Sequence, residues 1–88
     1  MHYNLDRLKN FVISDTGFIF DPSTGEILNT NEVGCDILRC LQEGITDIDD
    51  IKQRILEKYD VDERTADKDI REFIPVLINL GLISMEDS

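Results

Sequence analysis

Two turn-forming strings lie a few residues apart near the start of this sequence, and they leave the chain around them little choice of structure. Asp15-Thr16-Gly17 supplies a turn former and a residue at ease with positive φ. Asp21-Pro22-Ser23-Thr24-Gly25 follows, with Pro presetting φ and Gly closing the turn. The residues they separate are short apolar runs: Phe11 to Ile13, Phe18 to Phe20, and Glu26 to Asn29. Segments this short between such turns fold as an antiparallel β-meander. Three strands of this length do not hold themselves together in water, so other elements must cover one face.

The remainder of the chain predicts those elements: three helices. Thr30 or Asn31 can cap the first, with Glu32 in its first turn and Val33, Ile37, Cys40 and Leu41 recurring at helical spacing before Gly44. Thr46 or Asp47 opens the second, whose stripe is Ile48, Ile51, Ile55 and Tyr59. Asp62 caps the third, with Ala66, Ile70, Phe73, Leu77 and Leu80 on its apolar face and Gly81 at its end. Ile37, Ile55 and Phe73 are the expected centres of the three stripes. Pro75 interrupts the third helix by removing a backbone donor and pressing on the Arg71 carbonyl. The stripe keeps its phase across it, which favours a kink over a break. Leu82 and Ile83 are expected to pack back on the core, with Met1 to Asp6 and Glu86 to Ser88 as loose ends. The fold class expected is α+β: a small three-stranded meander followed by three helices, as one winged-helix-like domain over residues 1–88 with an ordered core of about 10–84.

Charge narrows the function. The 19 acids against 9 bases give a net charge of −10, spread along the whole chain. Nucleic-acid binding draws much of its free energy from cations meeting phosphates, so a nucleic-acid partner is not expected. A winged-helix DNA-binding regulator is the rival that the same architecture allows. It would need a basic recognition helix, and here Arg64, Lys68 and Arg71 are outnumbered by Asp62, Glu63, Asp67, Asp69 and Glu72. Those three bases share the outer face, where they can meet acidic groups of a partner or pair with acids of their own helix. No apolar run approaches the roughly 20 residues of a membrane helix. The first residues carry charges and no apolar signal core, so no membrane and a cytoplasmic location are expected.

Catalytic chemistry finds no constellation. The single His2 is close to the chain start, and the five glycines are scattered over turns and helix ends. Cys35 and Cys40 lie on one helix, roughly 140° apart around its axis, and cannot bridge each other. With no histidine near them, no metal site is expected. Cys40 falls on the apolar side and Cys35 on the outer side, as a free thiol. No cofactor is called for, and the expectation is a protein that is not an enzyme.

The ordered set of motifs resembles the PqqD-like family, the recognition element of ribosomally made, post-translationally modified peptide pathways. The residues that carry the resemblance are Asp21-Pro22, Gly25, Leu28-Asn29, Gly34, Gly44, Thr46, Ile51, Tyr59, Val61-Asp62, Asp69-Ile70 and Gly81-Leu82-Ile83, over roughly residues 10–84. Leu38 stands where the family often has an aromatic, and Pro75 is unusual for it. The resemblance implies a non-catalytic chaperone that holds the leader of a precursor peptide as an added strand, in a groove against the third helix. It implies presentation to a modifying enzyme, often a radical S-adenosylmethionine enzyme. An adaptor subunit with no peptide ligand of its own is the other alternative.

The residues support strand addition on their own terms. Nothing in Glu26, Ile27, Leu28, Asn29 and Thr30 blocks a sheet edge: there is no Pro, no Lys and no evident bulge. If Leu28 faces the core, Ile27 and Asn29 face away and are free to touch a ligand. Ile74 and Ile78 form an apolar shoulder on the third helix that is expected to line the groove. Arg71, at its rim, is expected to favour an acidic ligand residue, and the net charge a basic flank. The expected state is a monomer or weak homodimer.

Overall fold

The computed structural model describes residues 3–85. In chain order the elements are β1 (Tyr3–Asn4), a 3₁₀ turn (Leu8–Asn10), β2 (Val12–Ile13), β3 (Phe18–Asp21), β4 (Glu26–Asn29), α1 (Glu32–Gln42), α2 (Ile48–Lys58), α3 (Glu63–Asn79) and β5 (Ser84–Met85). Strands β2, β3 and β4 form an antiparallel sheet in that order. The α+β architecture read from the turns and stripes is the one observed.

The turns act as their residues suggest. Ser14 N–H donates to the Phe18 carbonyl at 2.9 Å, and the Ser14 hydroxyl accepts from Phe18 N–H, closing the β2–β3 hairpin. In the next turn the Asp21 carboxylate accepts from the Ser23 N–H and hydroxyl, while its carbonyl accepts from Gly25 N–H at 2.8 Å. Asp21 is buried. The Ser23 hydroxyl holds its carboxyl below the usual range; burial opposes this, and Thr24 and Arg7 add to the lowering.

Each helix begins at a side-chain cap. Asn31 accepts from Gly34 N–H, Asp47 from Asp49 N–H and Asp62 from Thr65 N–H. Gly81 has φ +76°, and with it the chain closes α3 through Gly81 N–H to Ile78 O and Leu82 N–H to Leu77 O. That reversal returns Leu82 and Ile83 to the core. It also turns Leu80 outward, 51% exposed, against the expectation that it continues the stripe. Helix α3 runs through Pro75 without a break. Pro75 is on the exposed side, where the freed Arg71 carbonyl can be hydrated.

Ile19 from the sheet, Ile37, Leu38 and Leu41 from α1, Ile51 and Ile55 from α2, and Ile70 and Leu77 from α3 form the core, with Leu5, Leu8 and Phe11 closing it from the N-terminal side. The expected loose start therefore does not extend to Tyr3–Asp6: β1 pairs with β5, Tyr3 opposite Met85, and Leu5 is buried. The other expected loose residues, Met1, His2 and Glu86 to Ser88, lie outside the described residues. Arg7 ties this edge together, donating to the Gly81 carbonyl at 3.0 Å and pairing with Asp21 at 3.4 Å.

The joint between α1 and the α2–α3 link is polar. Tyr59 donates its hydroxyl to Asp36 at 2.5 Å, and Lys58 and Arg39 pair with the same carboxylate. Burial pushes the Asp36 carboxyl up, but the Tyr59 hydroxyl, Lys58 and Arg39 outweigh it and hold it below the usual range. Burial, and then the Asp36 carboxylate, push the Tyr59 hydroxyl well above the ordinary tyrosine range.

Candidate functional site

Among the described residues strand β4 pairs with β3 on one side only, Phe18 opposite Asn29 through Asp21 opposite Glu26. Thr30 N–H donates to the Gly17 carbonyl at 2.7 Å, which extends the pairing by one residue. In an antiparallel ladder, alternate residues turn both backbone groups to the same neighbour. Thr30, Leu28 and Glu26 therefore face β3, while the N–H and C=O groups of Ile27 and Asn29 face outward on the open edge. The side chains follow the same alternation: Leu28 packs against the core, and Ile27 is 61% exposed. Ile27 lies beside Phe20, and Phe20 beside Val12, so the outer face of the sheet carries an apolar row across its three strands. A strand added to β4 would place alternate side chains at the end of that row.

The end of β4 leads to a cavity of about 310 Å³ between α1 and α3. Asn31, Val33, Gly34 and Ile37 line it from α1 and its cap, and Asp69, Glu72, Phe73 and Val76 from α3. It has an apolar floor and an acidic wall. Gly34 is needed for its shape: a Cβ there would lie 2.2 Å from the Thr30 hydroxyl and 3.2 Å from the Phe73 ring. The strand edge and the cavity are thus joined at Thr30 and Gly34.

The predicted edge residues Glu26, Ile27, Leu28, Asn29 and Thr30 lie on β4 and its end as expected. The predicted helix residues lie elsewhere. Asp67, Arg71, Ile74 and Ile78 recur along one flank of α3, and that flank is turned toward α2. Asp67 is 3.6 Å from Lys52 of α2, and Arg71 is held by Asp67 at 2.8 Å. Ile74 is 7% exposed and part of the core, and Ile78 is half-buried against it. The flank beside the cavity is the opposite one: Asp69, Glu72, Phe73 and Val76, at spacings of three, four and seven. Phe73, expected as a stripe centre, is half-buried at the cavity's edge, and Val76 is exposed. Lys68 pairs with Glu72 at 4.0 Å, an ordinary helix-surface pair.

Cys35 corrects a second expectation. It is 1% exposed, not outward-facing, because the β2–β3 hairpin covers that side of α1. Its thiol, pushed up by burial, meets the backbone of Gly17. Cys40 is buried as expected, and burial pushes its thiol up too. Both are free. Among the described residues no cluster of three His, Cys, Asp or Glu could hold a metal ion, and no helix is long and apolar enough to cross a membrane.

The profile of the family described as coenzyme PQQ synthesis protein D (PqqD) matches residues 17–83. A solved structure described as TbiB1 in complex with the TbiA(beta) leader peptide is 28% identical, with a TM-score of 0.69 over 90% of this chain and 94% of that one. A second, described as lasso peptide synthetase B1 complexed with the leader peptide, is 20% identical, with a TM-score of 0.70 over 97% of this chain and 100% of that one, a likeness of fold. No curated protein matches the chain.

Proposed function

The chain belongs to the coenzyme PQQ synthesis protein D (PqqD) family, and on that premise we propose that it binds the leader of a ribosomally made precursor peptide as a strand added to β4 and presents it to a modifying enzyme. The observation that carries this reading is the open edge of β4 at Ile27 and Asn29, which runs directly into the α1–α3 cavity. Main-chain bonds along the edge supply affinity, and the cavity supplies selectivity. The relative of known structure at 28% identity is itself a leader-peptide complex. The peptide-facing residues are Glu26 to Thr30 on the edge, with Val33, Phe73 and Val76 at the cavity. On this reading the domain acts in the cytoplasm as a carrier, not as an enzyme, and the family resemblance supports a modifying enzyme, in that family often of the radical S-adenosylmethionine class, as the one it serves.

The test is a titration of isotopically labelled domain with the leader segment of the precursor peptide encoded beside its gene. Amide shifts are expected to cluster on residues 26–34 and 69–76, and Ile27→Asp is expected to weaken binding at least tenfold by placing an uncompensated charge against the guest strand. Shifts confined to the α1–α2 surface around Glu43, or no binding, would refute the site or the function.

A further inference from the structure

The cavity between α1 and α3 is chemically lopsided in a way that specifies its guest. Its floor is Val33, Ile37, Phe73 and Val76, and the charged groups that line it are both acids, Asp69 and Glu72. Among the described residues no Lys or Arg lines it. Two of the three bases of α3 are elsewhere: Arg71 is held by Asp67 on the α2-facing flank, and Arg64 borders the surface shared with Lys52 and Glu63. Asp69 has no ion-pair partner among the described residues, and Glu72 has only Lys68, 4.0 Å away with both side chains largely exposed. Most other acids of α3 are engaged: Asp62 caps the helix, Glu63 meets Lys52, and Asp67 meets Lys52 and Arg71. The acids left without a firm cation are Asp69 and Glu72, the two that line the cavity beside Phe73 and Val76.

Resting on the leader-binding reading, we infer that this cavity takes a Lys or Arg side chain of the bound peptide. The aliphatic stem lies on Phe73 and Val76, and the cationic head meets Asp69 and Glu72. Long basic side chains bury their stems on apolar surface while keeping the charge at a wet rim, and this cavity offers both at once. At about 310 Å³ it is at the small end of ligand sites, which run from about 300 Å³, and it suits a side chain or two rather than a small-molecule cofactor. The chain's net charge of −10 draws such a peptide in and repels one with an acid at this position. The peptide class specified is an extended leader with a basic residue a short distance from the stretch that pairs with Ile27 and Asn29.

The test uses fluorescence anisotropy with overlapping 12-residue synthetic segments of the precursor peptides encoded beside the gene. Each Lys or Arg in a binding segment is replaced in turn by norleucine, which keeps the stem, and by Glu. One basic position is expected to lose about three- to tenfold in affinity as norleucine, the range that one or two partly exposed ion pairs give, and more as Glu. In the double variant Asp69→Asn, Glu72→Gln that difference is expected to vanish, and the affinity of the wild-type segment to become less dependent on salt. If norleucine binds as tightly as Lys at every position, or the double variant keeps the preference, the inference is overturned while edge binding stands, provided Ile27→Asp still weakens it at least tenfold. If no segment binds, or Ile27→Asp is without effect, the leader-binding reading falls and takes this inference with it.

Discussion

Replacing Tyr59 by Phe removes one oxygen from the joint between α1 and the α2–α3 link. The lost bond is short, 2.5 Å from the hydroxyl to Asp36. After the substitution the carboxylate keeps Lys58 at 3.1 Å and Arg39 at 3.3 Å, so it is not stranded. A hydrogen bond to a charged group contributes about 1.5–3 kcal/mol net, and the surviving partners place the expected loss around or just below the bottom of that range, about 1–2 kcal/mol. In a domain of this size that lowers the thermal midpoint by about 4–15 °C. The pH dependence has a definite sign. The folded Asp36 carboxyl is held below its ordinary value, so its contribution is present above the unfolded value of about 3.9 and lost as pH falls through the folded one. The Tyr59 hydroxyl is pushed above its ordinary value, so its contribution is present below about pH 10 and lost as pH rises through the folded value. Circular-dichroism melts should therefore show the largest gap between wild type and Tyr59→Phe at about pH 5–9, narrowing in acid. Equal midpoints at neutral pH, or a gap that persists undiminished into strong acid, would refute the assignment of this contact as a stabilising one.

Four further substitutions test the frame that holds the site and the core around it. Gly17 has φ +100°, and a Cβ there would lie 2.3 Å from the Thr30 carbonyl oxygen. Gly17→Ala is therefore expected to cost about 2–3 kcal/mol in urea denaturation, from backbone strain and the opened Thr30 pairing, and full stability would contradict it. Ile37→Ala and Ile55→Ala, each at a side chain 1% exposed, should each cost about 2–5 kcal/mol, whereas Leu80→Ser should stay within about 0.5 kcal/mol. A reversed order of these denaturation midpoints would overturn the core described above.

The family motifs acquire physical reasons from these contacts. Asp21 holds the β3–β4 turn through Ser23 and Gly25, Tyr59 locks α1 to the link, and Asp62 caps α3. Each acts over a short stretch of chain or at one specific partner. Among the described residues Asp69 has no such structural partner.

Turn chemistry, capping and helical period are local properties, set by residues a few positions apart. For that reason β2 to β4, the three helices and the open Glu26–Asn29 edge could all be read from the amino acids alone. The pairing of Tyr3–Asn4 with Ser84–Met85 could not, because strands of two residues carry no period and join opposite ends of the chain. The burial of Cys35 depended on a hairpin folding over α1 from outside the helix. Which flank of α3 lines the cavity was also undecidable in sequence. Ile74 and Ile78 on one shoulder are as apolar as Phe73 and Val76 on the other, and only the docking of α2 against the first shoulder left the second, with Asp69 and Glu72, open beside the end of β4.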